Sequence, residues 1–277
     1  MTYTTLSETA APAEIENREP AAPRDHTRLV YLGTIAAFLV LWTIASTAGL
    51  VSPVFLPSPF TVIRSLYGVL TQGFVDSTLM QHTGASLYRI FGGLITAVVI
   101  GVPAGLAIAL SRGGRGIRDP IVEFLRPLPP LAYLPLVIIW MGIGEASKIA
   151  VIALAMLPPI IISTAAGARG TSKDHVNAAR AFGATKLQIL WNVIVPSSIP
   201  SILTGIRIAL GAGWSTLVAA ELIAATQGLG FMIQSAAQFL VTDIVIAGIL
   251  VIAAIAFLFE ILARWLERTL VPWAQHR

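Results

Sequence analysis

Residues 90–111 read IFGGLITAVVIGVPAGLAIALS, a run without a single charged side chain. A bilayer core about 30 Å thick is crossed by about 20 apolar helical residues, so this stretch is long enough to span one. Five more apolar runs obey the same rule. They are Leu29 to about Leu50, Pro127 to Gly144 (beginning upstream near Pro120), Ile149 to Ala168, Ser198 to about Glu221, and Ile244 to Ala263. Of the 277 residues, 56% are hydrophobic and 12% charged, with a mean hydropathy of +0.80. A soluble domain carries about 25% charged residues, and a body this poor in charge cannot cover itself with polar surface. Composition therefore excludes a soluble enzyme, a disordered chain and a nucleic-acid binder. It predicts an all-α integral membrane protein with six transmembrane helices, 28–273. The absence of cysteine excludes disulfides and thiolate chemistry.

Six spans put both termini on one side, and positive loops stay cytoplasmic. One side collects Arg18, Arg24 and Arg28, then Arg112, Arg115, Arg118 and Arg126, then Arg169, Lys173, Arg180 and Lys186, and finally Arg264, Arg268 and Arg277. The other side receives only Arg64, Arg89 and Lys148. The bias predicts cytoplasmic termini and explains the net charge of +4 without nucleic acid. Residues 1–27, rich in Ala, Pro and Glu, read as a disordered cytoplasmic tail, and 274–277 as a cytoplasmic end. Residues 52–88 are polar enough to read as an external loop with an amphipathic piece at 60–70. Residues 224–242, with three glutamines and Gly228-Leu229-Gly230, read as an external loop with a short helix.

The longest cytoplasmic connection is 171–196. Its Ala-rich part, 174–182, favours a helix that Gly183 ends. Thr185 and Gln188 then fit a capping box, and Leu187, Leu190, Trp191 and Ile194 recur on one helical face. Pro196 and Pro200 are expected to break the chain before the fifth span. The residues alone leave two readings open, a connector resting on lipid or an element docked to a partner.

Residues 177–196, NAARAFGATKLQILWNVIVP, resemble the "EAA" signature of binding-protein-dependent ABC transporter permeases. Ala178, Ala179, Gly183, Ile194 and Pro196 match it, whereas Asn177 stands for the signature Glu and Val195 for its Leu. The segments 126–149, 211–232 and 242–249 are similar to the taurine, alkanesulfonate and nitrate group, most of all to its taurine branch. The resemblance covers roughly residues 28–273 and implies a type I importer permease (MetI-like) fold in a bacterial inner membrane. It further implies a homodimer served by a periplasmic binding protein and by separate ATPase subunits that hold ATP and Mg. By the same resemblance 173–195 forms the coupling helices, with Asn177, Ala178, Ala179, Arg180, Phe182, Gly183, Lys186, Trp191 and Pro196 at the ATPase contact. Phe182 and Trp191 would be its anchors, and the solute would be taurine or another small sulfonate, or else nitrate or a similar polar solute.

The chain has no nucleotide loop of its own. Such a loop needs Gly-Lys-Ser/Thr, and Lys148, Lys173 and Lys186 come after Ser147, Ser172 and Thr185. His26, His82, His175 and His276 do not pair at metal-ligand spacing. The expectation is a transport subunit that is not an enzyme and binds no cofactor or metal. An ion-driven transporter would call for inverted repeats and intramembrane acids; no repeat is visible, and the acids cluster at span ends.

In the fifth span Arg207, Trp214 and Glu221 are seven apart, near one face with Gly211 and Val218. Either they line a substrate pathway, with Arg207 meeting an anion, or Arg207 snorkels to the interface and Glu221 marks the outer end. Gly205, Ala209 and Gly213, and likewise Gly101 and Gly105, form ridges that allow close helix approach, within one subunit or at a dimer seam. The prolines at 127, 129, 130, 135, 158 and 159 read as pathway kinks or packing bends, and Glu123 and Arg126 as a helix ion pair.

Overall fold

The computed structural model describes residues 26–49, 51–111 and 129–271. Residues 1–25 of the expected tail, the 112–118 loop, the Glu123–Arg126 pair and the C-terminal end lie outside these residues, whereas His26 and Thr27, read as tail, open the first helix. Among the described residues ten α-helices follow in order: α1 (His26–Thr47), α2 (Pro59–Thr71), α3 (Leu79–Leu110), α4 (Leu134–Met141, after a 3-10 turn Pro130–Tyr133), α5 (Glu145–Arg169), α6 (Lys173–Ala181), α7 (Lys186–Ile189), α8 (Val195–Ala224), α9 (Leu229–Gln238) and α10 (Thr242–Leu270). Four helical stretches are long and apolar enough to cross a membrane: α3, α5, the continuous 186–223 and α10. The first and third expected spans appear as shorter apolar stretches, Leu32–Thr47 and Pro130–Met141. Thus the described residues do not by themselves establish the count of six.

The core is a sandwich with α5 between α3 and α8. Ile90 and Ala97 of α3, Ile152, Met156 and Ile160 of α5, and Ala209, Trp214 and Leu217 of α8 form one buried cluster. Small residues set the spacing. A Cβ on Gly101 would lie 3.0 Å from Ile160, and one on Gly105 2.8 Å from the Ile161 carbonyl oxygen. On the opposite face of α5, a Cβ on Gly205 would lie 2.6 Å from Ser163. The two glycine ridges therefore serve packing inside one chain. Pro158 and Pro159 lie inside an unbroken α5.

Three expectations are corrected. Residues 79–88 are not loop. Thr78 and Gln81 form a capping box that starts α3 at Leu79, and two of its polar residues, His82 and Ser86, are buried by pairing. The 224–242 connection does hold a short helix, α9, but it is docked: Leu229 and Met232 pack with Val69 and Leu79. Pro196 and Pro200 do not break the chain either. A π turn at Leu190–Ile194, closed by Val195 N–H on the Leu190 carbonyl, carries α7 directly into α8. This wider turn sits where the Pro196 ring would otherwise meet the carbonyl four residues back. At the start of α10, Ser65 of α2 donates to Asp243, and Thr242 to the Val54 carbonyl.

Gly105→Ala is expected to lower the detergent-solubilised melting temperature, at a cost of about 1–3 kcal/mol from overpacking. Gly68→Ala on α2, where a Cβ meets nothing within 4 Å, is expected to leave it unchanged or slightly raised.

Candidate functional site: docking segment and buried ion cluster

The candidate docking segment, 173–195, is bounded by its caps. Ser172 accepts the Asp174 N–H at the start of α6. At its end Gly183 adopts φ +80, so that Gly183 N–H reaches the Arg180 carbonyl and Ala184 N–H the Ala179 carbonyl, the geometry of a glycine stop. Thr185 and Gln188 cap each other reciprocally, with Thr185 N–H donating to Gln188 Oε1 at 2.8 Å. Ile189 and Ile194 are buried with Ala168, against Val176, Ala179 and Ala184. Phe182 is 92% exposed, and Leu187 and Trp191 are also open. Asn177, Ala178, Arg180 and Lys186 lie on the outer side of the segment, whereas Pro196 is half-buried. The single apolar face expected for Leu187, Leu190, Trp191 and Ile194 is therefore split, because the π turn adds a residue and rotates the positions beyond it.

The five expected pathway residues of α8 do not form one open stripe. Trp214 and Glu221 are buried, Val218 is half-buried, and Gly211 faces open space. Near the docking end, Arg207 pairs with Glu267 of α10 at 3.1 Å and approaches Glu260 at 3.8 Å. Glu267 also accepts from Thr204, and Glu260 from Arg264. Glu221 belongs to a separate network at the far end of the bundle.

That network centres on Arg89. Its Nε and Nη2 grip the Glu145 carboxylate at 2.6 and 2.8 Å. Its Nη1 donates to Glu221 Oε1 and to the Gln227 carbonyl, both at 2.6 Å. Lys148 Nζ donates to Glu145 at 2.9 Å. Ser86 donates to Glu221 at 2.8 Å and accepts the Leu229 N–H. Gly230 N–H completes the Glu221 shell at 2.8 Å. His82 Nδ1 accepts the Gly228 N–H, so its Nε2 carries the proton toward the Phe74 carbonyl. Two cations and two carboxylates leave the cluster neutral, which is how charge survives burial. The expectation of Arg89 and Lys148 as outer-loop charges is thereby corrected: both are buried, along with His82, Ser86 and Glu221. Only their pairing makes this burial stable, and pairing between residues 56 and 132 positions apart leaves no local trace.

Gly228 has φ +136, and a Cβ there would lie 2.5 Å from Glu221 Cδ and 2.6 Å from Arg89 Nη1. A Cβ on Gly230 would lie 2.8 Å from the Val218 carbonyl. The Gly-Leu-Gly run thus lets the start of α9 approach the ions closely. Among the described residues no group of acids and histidines is arranged to hold a metal ion.

The model of the family described as "Binding-protein-dependent transport system inner membrane component" matches residues 97–271. The taurine transport system permease protein of Escherichia coli (strain K12) is 55% identical, over 87% of this chain and 88% of that one. A putative aliphatic sulfonates transport permease protein of Bacillus subtilis (strain 168) is 35% identical, over 86% and 85%. The bicarbonate transport system permease protein of Synechococcus elongatus (strain ATCC 33912 / PCC 7942 / FACHB-805) is 35% identical, over 87% and 88%. Among solved structures, an inward-facing conformation of the MetNI methionine ABC transporter aligns with a TM-score of 0.62 and 20% identity. It covers 69% of this chain and 95% of that one, a likeness of fold.

Glu221→Gln is expected to cost about 3–5 kcal/mol by unpairing a buried charge, read as a large drop in melting temperature. Glu145→Gln is expected to cost a comparable amount although its own side chain is half open, because it leaves the buried Lys148 without the carboxylate it pairs with and Arg89 with one carboxylate instead of two.

Proposed function

This chain belongs to the family of binding-protein-dependent transport system inner membrane components, and on that premise we propose that it carries taurine or a closely related small sulfonate. It is an integral membrane permease subunit of an ABC transporter, not an enzyme. The observation that carries the substrate reading is the 55% identity, over nearly the whole chain, to a taurine transport permease. The bicarbonate relative at 35% favours a second reading, another small anion.

Two copies form the pathway in the bacterial inner membrane, with both termini in the cytoplasm. A periplasmic binding protein delivers solute, and separate ATPase subunits hold ATP and Mg. The segment 173–195 is the contact for those subunits. Its exposed Phe182 and Trp191, rimmed by Arg180 and Lys186, suit a groove that accepts an amphipathic helix. Motion received there has a continuous path, since α7, the π turn and α8 run unbroken to Glu221.

Proteoliposomes holding the permease, its ATPase and its binding protein are expected to take up labelled taurine. Uptake should vanish when the ATPase nucleotide-loop lysine is replaced. Gly183→Val is expected to leave insertion intact while uncoupling ATP hydrolysis from uptake, because a β-branched residue strains φ +80. Normal uptake in Gly183→Val, or labelling of Ala179→Cys from the periplasmic side, would contradict the coupling assignment.

A further inference from the structure

The two carboxylates of the outer cluster are held differently. The Glu221 side chain is fully buried, whereas that of Glu145 is 45% exposed. Yet Glu145 takes three donors from two buried cations: Arg89 Nε, Arg89 Nη2 and Lys148 Nζ. It is the first residue of α5 and comes directly after Gly142-Ile143-Gly144. Gly142 has φ +79, and a Cβ at either glycine would meet nothing within 4 Å. At 45% exposure the Glu145 side chain already borders water, so breaking its three hydrogen bonds is what turning outward requires. It then leaves behind two cations whose three N–H groups converge on a single anion position.

We propose that Arg89 and Lys148 form an entry site for the sulfonate group of the transported solute, which takes the position Glu145 holds in this structure. The proposal rests on the small-sulfonate reading above. A sulfonate presents three equivalent oxygens to three converging donors, and charge-assisted bonds of this kind are the strong ones. Exchanging one monoanion for another keeps the cluster neutral, so no unpaired charge is left buried. Arg89 retains Glu221 throughout. The released Glu145 lies at the water-exposed edge and receives the ammonium of a zwitterion such as taurine. The site is at the end of the bundle remote from the docking segment, where delivered solute arrives in the proposed orientation.

The test uses the assembled permease–ATPase complex in detergent, without binding protein. Ethanesulfonate is the probe and chloride at equal ionic strength the control. Carbodiimide coupling of an amine to Glu145, read by peptide mass spectrometry, is expected to rise severalfold as ethanesulfonate frees the carboxylate from its cations. In Lys148→Gln the rise is expected at about tenfold higher concentration, for want of one charge-assisted donor. In Glu145→Gln, where no internal anion competes, ethanesulfonate is expected to raise the melting temperature more than in the wild type. This arm stands even if Lys148→Gln does not fold. Wild-type Glu145 reactivity that ignores ethanesulfonate, or responds equally to chloride, overturns the proposal even if taurine is transported. A sulfonate-specific response in a complex that transports no taurine supports the site and removes only the taurine reading.

Discussion

The end of this bundle where α3, α5 and α9 begin depends on one guanidinium. Arg89 is buried on α3, and an unpaired ion in a low-dielectric interior costs several kcal/mol. It is stable there only while Glu145 of α5, Glu221 of α8 and the Gln227 carbonyl surround it. Those contacts tie three spanning helices and the start of α9 to one point. The glycines at 228 and 230 answer the same constraint, since any Cβ would intrude on the carboxylate they approach.

Below this cluster no charge enters the α3–α5–α8 core. Lipid offers no hydrophobic drive for one helix to bind another, so close packing and small residues hold it. Glycines on α3 and α8 meet opposite faces of α5, and the three helices form a tightly fitted unit. A second ion network, Arg207 with Glu267 and Glu260, joins α8 to α10 near the docking end. The helix 186–224 thus carries one ion anchor at its middle, Arg207, and one near its C-terminal end, Glu221, with a π turn at 190–194. Phe182 and Trp191, ahead of both anchors, stay exposed.

Much of this architecture was legible in the sequence because its causes are local. Charge-free runs of spanning length mark helices wherever they occur. The Gly183 stop and the Thr185–Gln188 box act within a few residues, and both formed as the sequence predicted. The family signature at 177–196 is local too. Reading failed where the cause was distant. His82, Ser86 and Arg89 read as loop because polarity suggests solvent, and nothing nearby reveals partners at 145, 221 and 228. The prolines at 196 and 200 read as breakers because a single turn of π geometry is invisible to composition.

The sequence by itself determined the class of molecule: a membrane-embedded helical protein without a nucleotide loop, with a capped, glycine-jointed connection on its positive side. Hydropathy, charge bias and capping act through neighbours a few residues away, so they are written in order along the chain. Only the tertiary structure decided which polar residues are buried and with whom. That decision depends on ion pairs between residues 56 and 132 positions apart, and their energy exists only once the helices have brought the charges together away from water.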